Sequence, residues 1–320
     1  MNKVSICLLN RNHAAFLEVC INSLLKQAYR WLEIIIIDNN SNDNSLDIIK
    51  NKYPNIKLIQ NRFNKGYSKA HNDFIRTSNG EFLLFLNADI ILDANFVNEV
   101  LKAIDEDEKI GMTQGKLYRM DTKMKKKDTL DSTGVILYKN RRNLDRGFGK
   151  KGIGQYNNKD YIFGTSGAAL FCRREMLEDI KIGDEYFDED FFAYREETDL
   201  AWRAQLAGWK CVYVPSAVAY HYRAYSPDRR KKMPEELRQL QYRNRYLMLM
   251  KNELPLTFIL HLPFILFFEM FSFFYVLFWK QFLVKAWLEV VKLMPKMLKK
   301  RQQIMRKKRV TAKYILSIIK

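Results

Sequence analysis

Between Asp184 and Asp199 the chain carries Asp184, Glu185, Asp188, Glu189, Asp190, Glu196, Glu197 and Asp199. Carboxylates this close together raise one another's pKa or need a cation between them, which favours a site over a solvated face. A helical pattern starts near Glu196, and the positive end of its dipole would offset part of the repulsion among Glu196, Glu197 and Asp199. Acids placed there face a site rather than cap a passive helix. Phe191, Phe192 and Tyr194 precede them, half core and half platform, and the strand-like VYVPSAVAYH closes the stretch on His221.

These residues need elements to position them. VSICLL (4–9) and EIIII (33–37) are short apolar runs of buried-strand type, separated by an amphipathic segment, Ala14 to Gln27, with Leu17, Cys20, Ile21, Leu24 and Leu25 on one face. A helical pattern at Leu46–Lys52, a strand at Lys57–Gln60, a loop and helix at Asn64–Arg76 and an apolar strand at Phe82–Leu86 follow. Such alternation predicts an α/β fold with a mostly parallel sheet flanked by helices. Ligands of these sheets sit outside the carboxyl ends of the strands. Three polar clusters occupy those ends: Asn10-Arg11-Asn12, Asp38-Asn39-Asn40-Ser41 and Asn87-Ala88-Asp89. Any one could be a turn or cap; three together point to a site. No G-x-G-x-x-G follows the first strand and no G-x-x-x-x-G-K-[ST] occurs, so dinucleotide and P-loop chemistry lack their phosphate cradle.

VSICLLNRNH, IIIIDNNSNDNS, NKGYSKAHN, FLLFLNADIILD and EYFDEDFFAYREETDLAWRAQLAGWKCVYVP together resemble the successive motifs of the family 2 glycosyltransferases, with the bacterial rhamnosyltransferase-like enzymes the nearest subgroup. The resemblance implies a GT-A fold and a nucleoside-diphosphate sugar donor. It implies that Asp38 contacts the base, with Asn39 beside it, and that Asn10 and the Asn64-Lys65-Gly66 turn line the nucleotide pocket. Asn87-Ala88-Asp89 stands where the family has D-x-D, so Asp89 would hold Mg²⁺ or Mn²⁺ on the diphosphate. Asn87 in place of the first acid removes one negative charge; oxygen ligands still suit either ion. Related enzymes place a metal-ligating histidine near His221, although a lone histidine is more often structural. In the family's E-D-x-D the second acid is the general base, which falls on Glu197, with Glu196 and Asp199 as neighbours. An inverting transfer needs such a base to take the acceptor hydroxyl's proton as the new bond forms. Trp202 and Arg203, one turn on, would flank the acceptor, packing being the other reading of Trp202.

From Arg119 to Lys159 the chain is basic and Gly-rich, with KMKKK and NRRNLDRGFGKKGIG. It reads as a mobile solvated loop or as an acceptor-side flap meeting a pyrophosphate. Asp131-Ser132-Thr133-Gly134 resembles a family element beside the acceptor. Gly167 to Phe171 reads as a further strand, and Gly164, Ser166, Gly167 and Ala168 would let a sugar approach closely.

Charge divides the chain. Residues 1–228 hold 33 Lys and Arg against 31 Asp and Glu, whereas residues 229–320 hold 21 against 5, so nearly all of the net +18 is C-terminal. The expected organisation is therefore a GT-A domain over 1–228 and a basic, apolar helical region over 229–320. Leu254 to Leu283 is greasy and aromatic but interrupted by Pro255, His261, Pro263, Glu269 and Lys280. An in-plane or re-entrant helix pair fits it better than one span, because an acid in the bilayer is costly. The Lys/Arg-rich remainder predicts an interfacial helix on anionic lipid. Its aromatics lie in one block rather than interleaved with the cations, which argues for a membrane surface and against nucleic acid. Cys7, Cys20, Cys172 and Cys211 form no C-x-x-C pair and predict reduced thiols, and the N-terminus lacks a signal-peptide pattern. These features predict a place on the cytoplasmic face of the plasma membrane, and an acceptor that is a glycan or is carried on a polyprenyl diphosphate. Two other classes share parts of the pattern: a sugar-phosphate nucleotidyltransferase, which would want a Gly-rich basic N-terminal signature, and a non-catalytic glycan-binding protein.

Overall fold

The computed structural model describes residues 2–224 and 233–320. The first part of the chain forms β1 (Val4–Asn10), α1 (Ala14–Leu25), β2 (Leu32–Asp38), α2 (Ser45–Lys52), β3 (Lys57–Gln60), α3 (Gly66–Thr77), β4 (Phe82–Asn87), β5 (Ile90–Leu92) and α4 (Phe96–Ile104). It continues through β6 (Ile110–Met120), β7 (Lys126–Ser132), β8 (Val135–Leu137), β9 (Asn143–Asp145), β10 (Asp160–Ile162), β11 (Ala169–Arg173), α5 (Arg174–Ile180), α6 (Glu196–Leu206) and β12 (Lys210–His221). Four helices close the chain: α7 (Glu235–Asn252), α8 (Pro255–Trp279), α9 (Val284–Arg306) and α10 (Ala312–Ile318).

The main sheet runs β10-β12-β6-β11-β4-β1-β2-β3, with β5 added to β12 and β7 to β6. Its first half is parallel: β1 lies between β2 and β4, and β2 pairs with β3, so Asn10 is level with Asp38 and Leu9 with Asn87. β11 then enters antiparallel between β4 and β6. That reversal makes the sheet mixed rather than mostly parallel, and it brings the segment before β11, including Gly167, to the same end as Asn87. β12 runs parallel to β6 and slips register between Val214 and Val218, so His221 arrives beside β5, opposite Ile90. The apolar alternation of β1, β2 and β4 fills two cores, one on each face of the sheet.

Two expectations change. The basic segment 119–159 is largely built structure: β7 pairs with β6, and β8 and β9 form a hairpin. Residues 254–283 form one continuous helix, α8, and a short 3-10 turn rather than a helix pair. The change of composition near residue 228 falls in 225–232, outside the described residues. Beyond it, Leu247, Met248, Val290, Met297, Ile304 and Ile315 are buried in the same core as Phe187, Phe191 and Trp202. The C-terminal helices therefore complete one face of the sheet.

Candidate functional site

At the ends of β1 and β2 the Asn10 amide donates to Asp38 Oδ2 at 2.9 Å and to Ser41 Oγ at 3.1 Å, while Ser41 N donates to Asp38 Oδ1 at 3.0 Å. Asp38 has no exposed surface, and both carboxylate oxygens are engaged. It shapes the turn, and each oxygen, accepting one hydrogen bond, keeps a second lone pair. Asn39 is likewise a buried hub. Its Nδ2 donates to Asn64 Oδ1 at 2.8 Å and to the Gly66 carbonyl at 3.2 Å, and its Oδ1 accepts from Lys65 N at 3.0 Å. The turn it fixes leaves Asn64 and Lys65 half-buried, with Lys65 Nζ on Asp73 at 2.7 Å. Gly66 sits at φ +78°, and a Cβ there would lie 2.5 Å from the Phe192 ring, so this turn tolerates glycine alone.

Asn87 and Asp89 flank buried Ala88 at the end of β4. Tyr67, from the first turn of α3, reaches across to Asn87 Oδ1 at 3.3 Å and donates to the Gly167 carbonyl. A Cβ on Gly167 would lie 3.5 Å from Glu197 Cβ, an ordinary contact distance, so Glu197 of α6 stands against the sheet end.

The three acids of α6 separate by environment. Asp199 is fully buried and takes Arg203 Nε at 3.0 Å, Lys251 Nζ at 2.9 Å and the Asn252 amide at 2.7 Å. It is a structural ion-pair centre and not a catalytic group. Glu196 is also buried, with Oε2 unpartnered among the described residues; burial, then the neighbouring Glu197, pushes its pKa well above the usual range. Glu197 is the half-buried acid of the three. Burial raises its pKa as well, against backbone and Thr198 hydroxyl hydrogen bonds that lower it. A carboxylate with some access and a raised pKa is what a general base requires. Trp202 and Arg203 do not flank an acceptor: Trp202 has no exposed surface and packs on Phe163, and Arg203 also donates to the carbonyls of Ile180 and Tyr186. The helical period turns both positions into the core, away from the side of Glu197.

Asp89 meets His221 Nε2 at 3.3 Å, and His221 Nδ1 meets Asp131 Oδ2 at 2.8 Å. Burial lowers the imidazole's pKa, but Asp89 and Asp131 outweigh it and bring it to about 9. Burial likewise opposes ionisation of Asp89, which His221 nevertheless holds down at about 2. The donor set fits a divalent ion: a carboxylate and an imidazole side by side, with a second carboxylate behind the ring to fix its tautomer. Among the described residues no three His, Cys, Asp or Glu side chains are placed to hold one ion together, so a diphosphate and water would have to complete the shell.

Several site residues escaped the sequence. Asp131 lay in a quoted motif without its link to His221. Tyr67 lay in NKGYSKAHN without a role. Arg223, which bridges Asp131 at 3.2 Å and Asp145 at 2.6 Å, carried no signal in the spacing. The cations that neutralise the acid-rich stretch were equally hidden. Lys300 meets Asp188 at 2.6 Å, Glu185 at 2.8 Å and Asp190 at 2.9 Å, and Lys251 also pairs with Asp188. A separate cavity of about 360 Å³ between β10 and α10, lined by Ile162, Phe163, Gln205 and Tyr314, includes none of the site acids.

The family model described as Glycosyl transferase family 2 matches residues 4–181, more than half of the chain. A Mycobacterium tuberculosis N-acetylglucosaminyl-diphospho-decaprenol L-rhamnosyltransferase is 26% identical over 242 residues, 67% of this chain and 74% of that protein. Shorter matches to two other bacterial glycosyltransferases cover 35% and 26% of those proteins' lengths. Among solved structures, S. aureus TarS 1-349 superposes with a TM-score of 0.59 at 18% identity, covering 95% of this chain and 88% of that one. The mannosyltransferase PcManGT from Pyrobaculum calidifontis, in complex with GDP-Man and Mn²⁺, superposes with a TM-score of 0.53 at 14% identity, covering 99% and 79%. At these identities the structural likeness is one of fold, and it is the GT-A arrangement.

Proposed function

Because the chain belongs to glycosyl transferase family 2, we propose that it moves a hexose from a nucleoside-diphosphate sugar to a hydroxyl of a glycan or polyprenyl-diphosphate-linked acceptor, with inversion, in cell-surface polysaccharide synthesis. Rhamnose is the leading candidate sugar, supported by the mycobacterial relative, an L-rhamnosyltransferase. The observation that carries the reading is the sorting of the α6 acids. Asp199 is consumed by cations and Glu196 is enclosed, which leaves Glu197 beside Gly167 at the sheet end as the acid able to meet an acceptor hydroxyl. Glu197 takes the hydroxyl proton as oxygen attacks the anomeric carbon from the face opposite the leaving diphosphate. Asn39 and Gly66 fix the donor-side turn, and Tyr67 joins that turn to Asn87 and Gly167. Asp89 and His221 would hold Mg²⁺ or Mn²⁺, with Asp131 orienting the ring. When bound, the ion supplies charge stabilisation for the departing diphosphate.

Attachment to an anionic membrane surface is supported by α8, which is long and apolar enough to cross a bilayer by length and composition. Its polar side chains turn inward. Glu269 pairs with Arg245 and accepts from the Tyr246 hydroxyl at 2.6 Å, Ser272 meets Tyr242, and His261 meets Arg141. Phe267, Phe271, Phe274 and Phe278 face outward. A helix held to protein along part of one side and apolar over the rest supports contact with a lipid surface, and the reduced thiols support the cytoplasmic face.

Incubation with a panel of nucleotide sugars and acceptor lipids separates the rival classes. Sugar transfer releases free nucleoside diphosphate from these donors; a nucleotidyltransferase releases none from them and instead releases pyrophosphate when a nucleoside triphosphate and a sugar 1-phosphate are supplied in a parallel incubation, and a glycan-binding protein releases neither. Pyrophosphate, or no release from any donor, refutes the proposal.

A further inference from the structure

The loop that delivers Glu197 is held in an unfavourable conformation by a side chain from α7. Phe192, Tyr194 and Arg195 all have positive φ, at 61°, 70° and 70°, with Arg195 left-handed and Phe192, at ψ −62°, the centre of a γ-turn. Side chains with a Cβ resist that region, and three such residues within four positions need an external restraint. Asn244 supplies it. It is fully buried, and its Nδ2 donates to the carbonyls of Phe191 at 2.8 Å, Ala193 at 2.9 Å and Tyr194 at 2.9 Å. The amide has one orientation, because Asn244 Oδ1 accepts from Arg243 Nε at 3.0 Å and a guanidinium can only donate. Arg243 itself donates to the Asp190 carbonyl at 2.6 Å, and Arg195 Nε donates back to the Gln241 carbonyl at 2.8 Å.

The same loop touches the donor side. The Phe192 carbonyl accepts from the backbone N–H groups of Tyr67 and Ser68, and the Phe192 ring fills the space above Gly66. The strained loop thus joins the turn fixed by Asn39 to the first turn of α6. We propose that Asn244 is the positioning residue of this site: by clamping 191–195 with positive φ at Phe192, Tyr194 and Arg195 it sets Glu197 against Gly167 and locks the donor-side turn to the base. The inference rests on Glu197 being the base. It gives α7 a part in the chemistry through the loop its side chain holds.

Asn244→Asp keeps the side chain's shape and replaces its two N–H donors by a carboxylate facing three carbonyls. Asn244→Ser is a milder change that keeps one donor. Hydrogen–deuterium exchange on the full-length protein reads the clamp directly. The expected result is faster exchange confined to 66–70 and 191–198, with β1, β2 and β4 as protected as in the parent. In the transfer assay kcat should fall about 100-fold, the cost of misplacing a reacting group by around 1 Å, while the donor KM changes far less. If Asn244→Asp unfolds, the same readings are taken on Asn244→Ser. Unchanged exchange in 191–198, or faster exchange with kcat intact, overturns the proposal. A parent protein that transfers no sugar refutes the activity and the role of Glu197 with it, and the exchange result then shows whether Asn244 clamps the loop.

Discussion

Lys251→Met tests whether the acid-rich stretch is held together by the C-terminal helices. Lys251 has no exposed surface, pairs with Asp188 and Asp199, and lies 4.5 Å from the centroid of the Phe191 ring. Removing one member of a buried ion pair costs about 3–5 kcal/mol, because the remaining charge loses its partner. Asp188 keeps Lys300 and Asp199 keeps Arg203, so the lower end, about 3 kcal/mol, is expected. With an unfolding entropy of about 2.1 cal/mol/K per residue, the 320-residue chain should lose about 4–5 °C of Tm. Thermal unfolding followed by circular dichroism at pH 7 measures this. The pH dependence supplies a second check. Burial opposes ionisation of Asp188, but Lys251 and Lys300 hold its pKa far below the usual range. A depressed folded pKa contributes stability that is present above the unfolded value near 3.9 and lost as pH falls towards the folded value. The gap between parent and variant should therefore narrow below about pH 4. Equal Tm at pH 7, or a deficit that does not narrow below about pH 4, would refute the reasoning.

Glu197→Gln should lower transfer by about 10²–10⁴-fold with folding and donor binding retained. In the parent, kcat/KM should rise with pH along a limb displaced above the ordinary glutamate range, as burial raises the Glu197 pKa; near-parental turnover in the variant would reject the assignment. Glu196→Gln should raise Tm at pH 8 and leave it unchanged at pH 4, because a buried acid with a raised folded pKa loses its stability contribution as pH rises above the unfolded value. Asp131→Asn should weaken Mn²⁺ binding by about 10–100-fold, measured by calorimetry in the presence of nucleoside diphosphate; unchanged affinity would detach His221 from the ion. Replacing Phe267, Phe271 and Phe274 together by Ser should release the protein from vesicles containing anionic lipid, read by flotation; retention would move the membrane contact away from α8.

The strand ends were legible in the sequence because their determinants are local. Apolar runs of four to six residues set β1, β2 and β4, and Asn10, Asp38 and Asn87 follow them directly, so pairing in parallel register necessarily gathers them. Gly66 declared its turn, and the acids of α6 declared a helix start at Glu196, where the helix does begin. What the sequence could not do was sort those acids. Glu196, Glu197 and Asp199 differ little by type and spacing, yet one is enclosed, one half-buried and one locked between Arg203 and Lys251. Trp202 stayed open between acceptor and core for the same reason: an amphipathic side chain at a motif position is compatible with either, and only packing chooses.

The sequence by itself determined the two-sided α/β sheet and which residue types stand at its open end. The tertiary structure decided which of them are chemically available. The cations that neutralise Asp188 and Asp199 lie far along the chain, on α7 and α9, and the clamp on the Glu197 loop is also on α7. A tail that reads as a separate basic surface is in part the counter-charge of the site. Hydrophobic periodicity is written within a few residues, whereas charge compensation and access depend on distances through space between elements that sequence separation does not report.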